Sequence, residues 1–142
     1  MNVSEPFSHR IRVRYAEVDG QGVVFNAHWL TYFDEACTRF MESLGFGPGF
    51  WIHEFDVMLV KVVVEWSGPA RFDEWVDIAV EPARIGTKSF DLRYRASVGG
   101  RPASDAVITY VAIKPTTNDS IELPDAVRTA LTERIPKDTV RS

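Results

Sequence analysis

RYAEVDGQGVVFNAHWLTYFDEACTRF, Arg14–Phe40, changes its hydrophobic period in the middle. Towards its start Phe7, His9, Ile11, Val13 and Tyr15 alternate with Ser8, Arg10, Arg12 and Arg14, the period of two that puts alternate side chains on opposite faces of a strand. The arginine face is expected to meet solvent. Past Gly20 and Gly22, the residues Trp29, Leu30, Phe33, Cys37, Phe40, Met41 and Leu44 recur every three or four positions, and Gly45 stands where a helix is commonly capped. Between strand and helix sits a carboxylate, Asp19. GFGPGF, Gly45–Phe50, reads as a loop.

Working outward, the remainder reads as strands over Asp56–Trp66, Trp75–Arg84, Ser89–Val98 and Ala103–Pro115, with Gly99-Gly100-Arg101-Pro102 marking a hairpin between the last two. VMLVKVVVEW is nearly continuous in apolar residues, as expected of a strand buried on both faces. LPDAVRTALTERI closes the pattern as a short helix, with Pro124 in its first turn and Ala126, Val127, Ala130 and Leu131 as its apolar stripe. Strand, long helix, four strands, short helix is an α+β order, in which a single apolar helix is buried on the concave face of an antiparallel sheet.

The 142 residues, 45% of them apolar, suffice for a single domain, residues 1–142, with a substantial core. Sixteen basic against 20 acidic residues leave a formal charge of −4, which argues against nucleic acid as a partner. The longest apolar run carries Lys61 and is about half the roughly 20 residues a membrane helix needs, so no membrane association is expected. One cysteine, Cys37, permits no internal disulfide, and MNVSEPFSHRIRVR lacks the apolar core of a signal peptide, so a cytoplasmic location is expected. The histidines and carboxylates show no metal-ligand spacing, and there is no G-x-S-x-G elbow.

RYAEVDGQGVVFNAHWLTYFDEA resembles the signature of the hotdog-fold acyl-CoA thioesterases, in the branch that contains 4-hydroxybenzoyl-CoA thioesterase and the short-chain acyl-CoA thioesterases. The likeness lies on Tyr15, Asp19, Gly22, Val23, Val24, Phe25, Asn26 and the helical stretch Tyr32–Ala36. It continues through GPARFDEWVDIAV, RIGTKSFDLRYRA and KPTTNDSIELPDAVRTAL, from about residue 8 to residue 131. The chain departs from the pattern at Asp34, where the family usually has Glu, and at Cys37, where it often has Arg. The resemblance implies a hotdog fold, one long central helix wrapped by a curved antiparallel sheet of about five strands.

It also implies hydrolysis of an acyl-CoA or aryl-CoA thioester, with Asp19 as nucleophile or general base. Backbone N–H groups around Phe25 and Asn26, at the helix start where amides lack intrahelical partners, would polarise the carbonyl. Read without the family, an Asp-Gly dipeptide is an ordinary turn and an Asp beside a helix start is a cap; the two roles are compatible. Tyr15, Gly22, His28 and Asp34 are further candidates around the substrate, Gly22 because a side chain there would obstruct close approach. Glu17 shares the loop and is expected to face solvent. His9 and His53 read as structural.

Coenzyme A is a polyanion, and an acidic protein must meet it with local cations. In the family the segment RIGTKSF, with Arg84, Thr87, Lys88 and Ser89, lies near pantetheine and phosphates, which points first to Lys88 and Ser89, with Arg84 and Arg101 weaker. Phe7, Trp29, Phe50, Trp51 and Phe55 are either pocket lining or core. Coenzyme A enters only as part of the substrate; no separate cofactor and no metal is expected. An open sheet edge and a half-covered helix call for a homodimer or homotetramer with the site shared between chains. The alternatives are an acyl-thioester dehydratase or hydratase, for which no G-D-x-N-P-x-H pattern is present, and a non-catalytic acyl-CoA-binding protein.

Overall fold

The structure is a computed structural model and describes residues 6–47 and 55–136. Phe50, Trp51 and His53 lie outside the described residues. Strand β1 (Phe7–Arg12) leads through a single 3-10 turn (Tyr15–Glu17) to helix α1 (Asn26–Ser43). Strands β2 (Asp56–Trp66), β3 (Trp75–Ile85), β4 (Ser89–Val98) and β5 (Arg101–Ile113) follow, and helix α2 (Asp125–Arg134) comes last. The five strands form one antiparallel sheet in the order β1-β3-β4-β5-β2.

Alternation decides which face each strand buries. Val76, Ile78 and Val80 of β3, Phe90, Leu92 and Tyr94 of β4, and Ala106 and Ile108 of β5 point inward and are at most 1% exposed. Against them α1 lays Trp29, Phe33, Ala36, Phe40 and Met41, leaning towards β1 and β3. Each large side chain taken out of water here contributes roughly 1.5–3 kcal/mol. The other face is polar, crossed by ion pairs such as Arg10–Asp77 at 2.9 Å and Arg93–Asp105 at 2.7 Å. The arginines of β1 do meet solvent.

The helix ends as its sequence requires. Leu44 closes α1, and Gly45 follows at φ +98°, a conformation that carries no steric cost for glycine alone. Gly99 and Gly100, at φ +56° and +85°, form the tight β4–β5 turn, and β5 begins at Arg101, two residues earlier than the sequence suggests. In α2, Val127 and Leu131 are buried; Pro124 takes the N-cap position rather than the first turn, and Ala126 is exposed.

One expectation is overturned. β2 is not buried on both faces; it is an edge strand, with Met58, Leu59, Val60, Val63 and Trp66 each about half exposed. A continuous apolar run signals two covered faces, but sequence does not say whether the cover belongs to the same chain. α1 itself is 18 residues long, about 27 Å at 1.5 Å per residue. Among the described residues, no helix is long and apolar enough to cross a membrane.

Candidate active site

Asp19 stands at the head of a small hairpin. Val18 bridges Val24, the Asp19 N–H donates to the Val23 carbonyl at 2.9 Å, and the Gly22 N–H donates to the Asp19 carbonyl at 2.9 Å. Gly22 has φ +78°, and a Cβ there would meet nothing within 4 Å, so the backbone angle rather than crowding calls for glycine. The carboxylate is divided in its duties. Oδ1 accepts from the Gln21 N–H at 2.8 Å and the Val23 N–H at 3.4 Å, whereas Oδ2 has no partner among the described residues. The turn therefore aims a carboxylate with one oxygen held and one oxygen free.

The helix start supplies donors, though not the full expected set. The Phe25 N–H is already committed to the Glu17 carbonyl at 3.0 Å, and the His28 N–H to the Phe25 carbonyl at 2.9 Å. Asn26 and Ala27, the first two residues of α1, have N–H groups without an acceptor among the described residues, at the positive end of the helix dipole. The open amides are thus those of Asn26 and Ala27, and the one at Phe25 is closed by the hairpin that positions Asp19. The Phe25 side chain is half exposed and meets the His28 ring edge-on at 6.2 Å.

Glu17 is the residue that sequence reasoning misplaced. It is 6% exposed, not solvent-facing. Its carboxylate accepts from the Arg14 N–H at 2.8 Å, the Arg14 guanidinium at 2.8 Å and the Tyr32 hydroxyl at 2.8 Å, which ties the turn to the inner face of α1. Burial pushes this carboxyl up, but the hydrogen bonds from Arg14 and Tyr32 outweigh it and hold it below its ordinary 4.5. Burial and the Glu17 carboxylate together raise the Tyr32 phenol. The Arg-x-x-Glu spacing with a tyrosine on the helix was the available signal. A group depressed on folding stabilises fully above its unfolded value and loses that contribution as pH falls through the folded value. Glu17→Gln is accordingly expected to cost roughly 1–3 kcal/mol at neutral pH. It should also flatten the acid loss of stability below about pH 4.5, read by urea unfolding across pH.

The remaining candidates divide between two ends of the sheet. The Asp19 hairpin rests on the connection from β2 to β3: Val23 bridges Arg71 and the Val24 N–H donates to the Ala70 carbonyl at 2.8 Å. Tyr15, 77% exposed, packs edge-on against Phe72 at 5.7 Å at this end, where Arg101 also lies, 3.7 Å from Glu74. The β3–β4 hairpin with Thr87 and Lys88 is at the opposite end, some 30 Å away along β3. There Arg84 is bound to Asp91 at 3.0 Å and Ser89 at 2.9 Å, and the Thr87 carbonyl accepts from Arg128 and Leu123. Lys88 is exposed and carries no ion pair among the described residues. Phe7, against Phe40 at 5.7 Å, and the buried Trp29 and Phe55 belong to the core, and His9 pairs with Glu35 at 3.4 Å.

Asp34 is exposed on α1 and borders a cleft of about 240 Å³ with Cys37, Thr38, Asp56, Val57 and Tyr110. Burial pushes the Cys37 thiol up to about 11, so it is protonated at neutral pH and is no nucleophile. Among the described residues, no group of three or more His, Cys, Asp or Glu is placed to hold a metal ion.

This architecture recurs in known proteins. The chain is 24% identical over 123 residues to the acyl-CoA thioester hydrolase YbgC of Escherichia coli, covering 85% of this chain and 92% of that protein. It is 25% identical over 123 residues to the 1,4-dihydroxy-2-naphthoyl-CoA hydrolase of Nostoc punctiforme, covering 85% and 83%. The solved structure of a thioesterase superfamily protein from Jannaschia superposes with a TM-score of 0.86 at 23% identity, over 92% of this chain and 94% of that one. The family model of the thioesterase superfamily matches residues 21–102, from Gln21, two residues past Asp19, to the start of β5. More than half of the sequence, including the helix with its two open amides, fits that model, and the chain belongs to the thioesterase superfamily.

Proposed function

We propose that the protein hydrolyses acyl-CoA thioesters on a hotdog scaffold, with Asp19 acting at the thioester carbonyl and the Asn26 and Ala27 N–H groups receiving the oxygen. The observation that carries this is the free Oδ2 of a carboxylate pinned by its other oxygen, one short hairpin away from two unused helix amides. As nucleophile, Oδ2 adds to the carbonyl carbon, the C–S bond breaks, coenzyme A leaves as thiolate, and water then cleaves the mixed anhydride. As general base, it takes a proton from a water that adds to the same carbon, with the same leaving group. In both, negative charge grows on the carbonyl oxygen, where fixed amide donors act most strongly.

The two ends of the sheet are combined by symmetry in this reading. Antiparallel pairing of β2 with its copy would cover Met58, Leu59, Val60 and Val63 and close an edge that a monomer leaves open. It would also turn the second copy so that its hairpin end lies beside the Asp19 end of the first, giving a homodimer, or a pair of dimers, with shared sites. Lys88, the uncommitted cation of the hairpin, then meets the coenzyme A phosphates; Arg84, Thr87 and Ser89 keep its turn in shape. Lys88→Ala is expected to raise KM severalfold and to weaken the salt dependence of kcat/KM, with kcat little changed. Trapping the thiol released from acetyl-, medium-chain, long-chain and aromatic CoA esters tests the function itself. No thiol from any of them would overturn it.

A further inference from the structure

We propose that Glu17 is a positioning residue for thioester hydrolysis: its carbonyl and its carboxylate fasten the Asp19 hairpin to α1 at two points, and so fix where Asp19 stands relative to the Asn26 and Ala27 amides. It rests on the hydrolase reading above, and Glu17 acts in it through Asp19 and the helix start. The hairpin between them carries Gly20 and Gly22, and glycine leaves a backbone freer than any other residue. Two bonds from Glu17 remove that freedom. Its carbonyl accepts from the N–H of Phe25, the N-cap of α1, at 3.0 Å. Its carboxylate accepts at 2.8 Å from the hydroxyl of Tyr32, on the buried face of the second turn. Held at its cap and again one turn on, α1 can neither slide past the hairpin nor swing about its own start.

The same carboxylate reaches back along the chain. It accepts from the Arg14 N–H at 2.8 Å and from the Arg14 guanidinium at 2.8 and 3.1 Å, and the Glu17 N–H donates to the Arg14 carbonyl at 3.0 Å. Glu17 therefore joins the chain leaving β1 to the helix that the hairpin precedes. A buried carboxylate is a costly way to fill space, and an apolar side chain of similar size would do that without desolvating a charge. What an apolar side chain cannot do is bind Arg14 and Tyr32 at once with directed bonds. Burial alone would push the Glu17 carboxyl up; the bonds from Arg14 and Tyr32 prevail and keep it ionised at neutral pH. The Phe25 bond has a second consequence. With that amide closed, the donors still open at the helix start are those of Asn26 and Ala27, so Glu17 also decides which amides remain for the thioester oxygen.

Thiol release from a CoA ester that the wild type hydrolyses tests the role. Glu17→Ala is expected to lower kcat roughly ten- to a hundredfold with KM changed less than about threefold, the loss that follows when a reacting group is displaced by about 1 Å. Glu17→Gln, which keeps one acceptor for Tyr32, should fall between Glu17→Ala and wild type. Tyr32→Phe should lower kcat as well, yet lower it no further in a Glu17→Ala background, because the two act through one bond. Met41→Ala is the control, a buried deletion near the other end of α1 that destabilises the fold and should leave kcat unchanged while the chain is folded. Wild-type kcat in both Glu17→Gln and Tyr32→Phe, or an equal loss in Met41→Ala, would overturn the proposal. Amide hydrogen exchange reads the fastening without turnover. In Glu17→Ala the Phe25 N–H should exchange at least about tenfold faster, over and above any change at Ile78 and Ile108 in the sheet. The same change at all three would also overturn it. A Phe25 amide loosened by Glu17→Ala in a protein whose wild type releases no thiol supports the fastening and sinks only the hydrolase reading. Thiol release with kcat indifferent to Glu17 sinks only the positioning role.

Discussion

Asp19→Asn is expected to lower kcat for CoA ester hydrolysis by roughly three orders of magnitude or more while leaving the fold intact. The substitution is informative because the turn and the proposed chemistry would use different oxygens. Oδ1 holds the turn by accepting from Gln21 and Val23, and asparagine keeps that acceptor. Oδ2 is the free atom, and asparagine puts an amide nitrogen in its place, which neither attacks a carbonyl nor takes a proton. Thermal unfolding should therefore stay within about 0.5 kcal/mol of wild type while thiol release collapses. Asp19→Ala should lose both turn and activity, so the pair of variants separates a turn former from a catalyst. Full turnover in a well-folded Asp19→Asn protein would make Asp19 a turn residue and nothing more.

The second large effect is expected at the sheet edge. Val60→Lys together with Val63→Lys puts two cations into the half-exposed apolar strip of β2. Across a two-fold axis near them the added charges would face like charges on the second copy, and lysine on an exposed edge is a common device against strand pairing. Light scattering should show the assembly reduced to monomers. If the site combines Asp19 of one chain with the hairpin of the other, thiol release should fall at least roughly a hundredfold with it, as expected when a binding half of the site is removed. Each chain should still fold, because Val60 and Val63 are already half exposed. A monomer that retains wild-type kcat/KM would contradict the shared site.

Legibility in the sequence followed the range of the interactions. The period of two in β1, the three-to-four spacing in α1, and the Gly45 and Gly99-Gly100 stops are set within a few residues, and both elements form where their patterns say, except that β1 ends at Arg12 and Tyr15 opens the 3-10 turn. The placement of Asp19 at the strand-to-helix joint was equally local. Glu17 was misread because its partner Tyr32 lies 15 residues on, and only the folding of the hairpin onto α1 brings the two together. The commitment of the Phe25 amide to Glu17 has the same origin. β2 was misread because an apolar run does not say whether its strand lies inside the sheet or at its edge. Arg84 and Ser89 are cationic and polar in the sequence, but register across β3 and β4 gives them to Asp91 and to each other.

Electrostatics at the site are likewise a product of assembly. In the sequence Cys37 is a lone thiol; in the fold it sits against Tyr94 and Tyr110, and burial keeps it protonated. That removes a competing nucleophile from the middle of α1, while Oδ2 of Asp19 has no partner among the described residues.

The most direct measurement is a crystal structure of Asp19→Asn with an unhydrolysed CoA ester bound. The thioester oxygen should lie about 3 Å from the Asn26 and Ala27 nitrogens, with the residue 19 side chain facing the carbonyl carbon. A thioester seated away from the start of α1, with those two amides bound only to water, would contradict it.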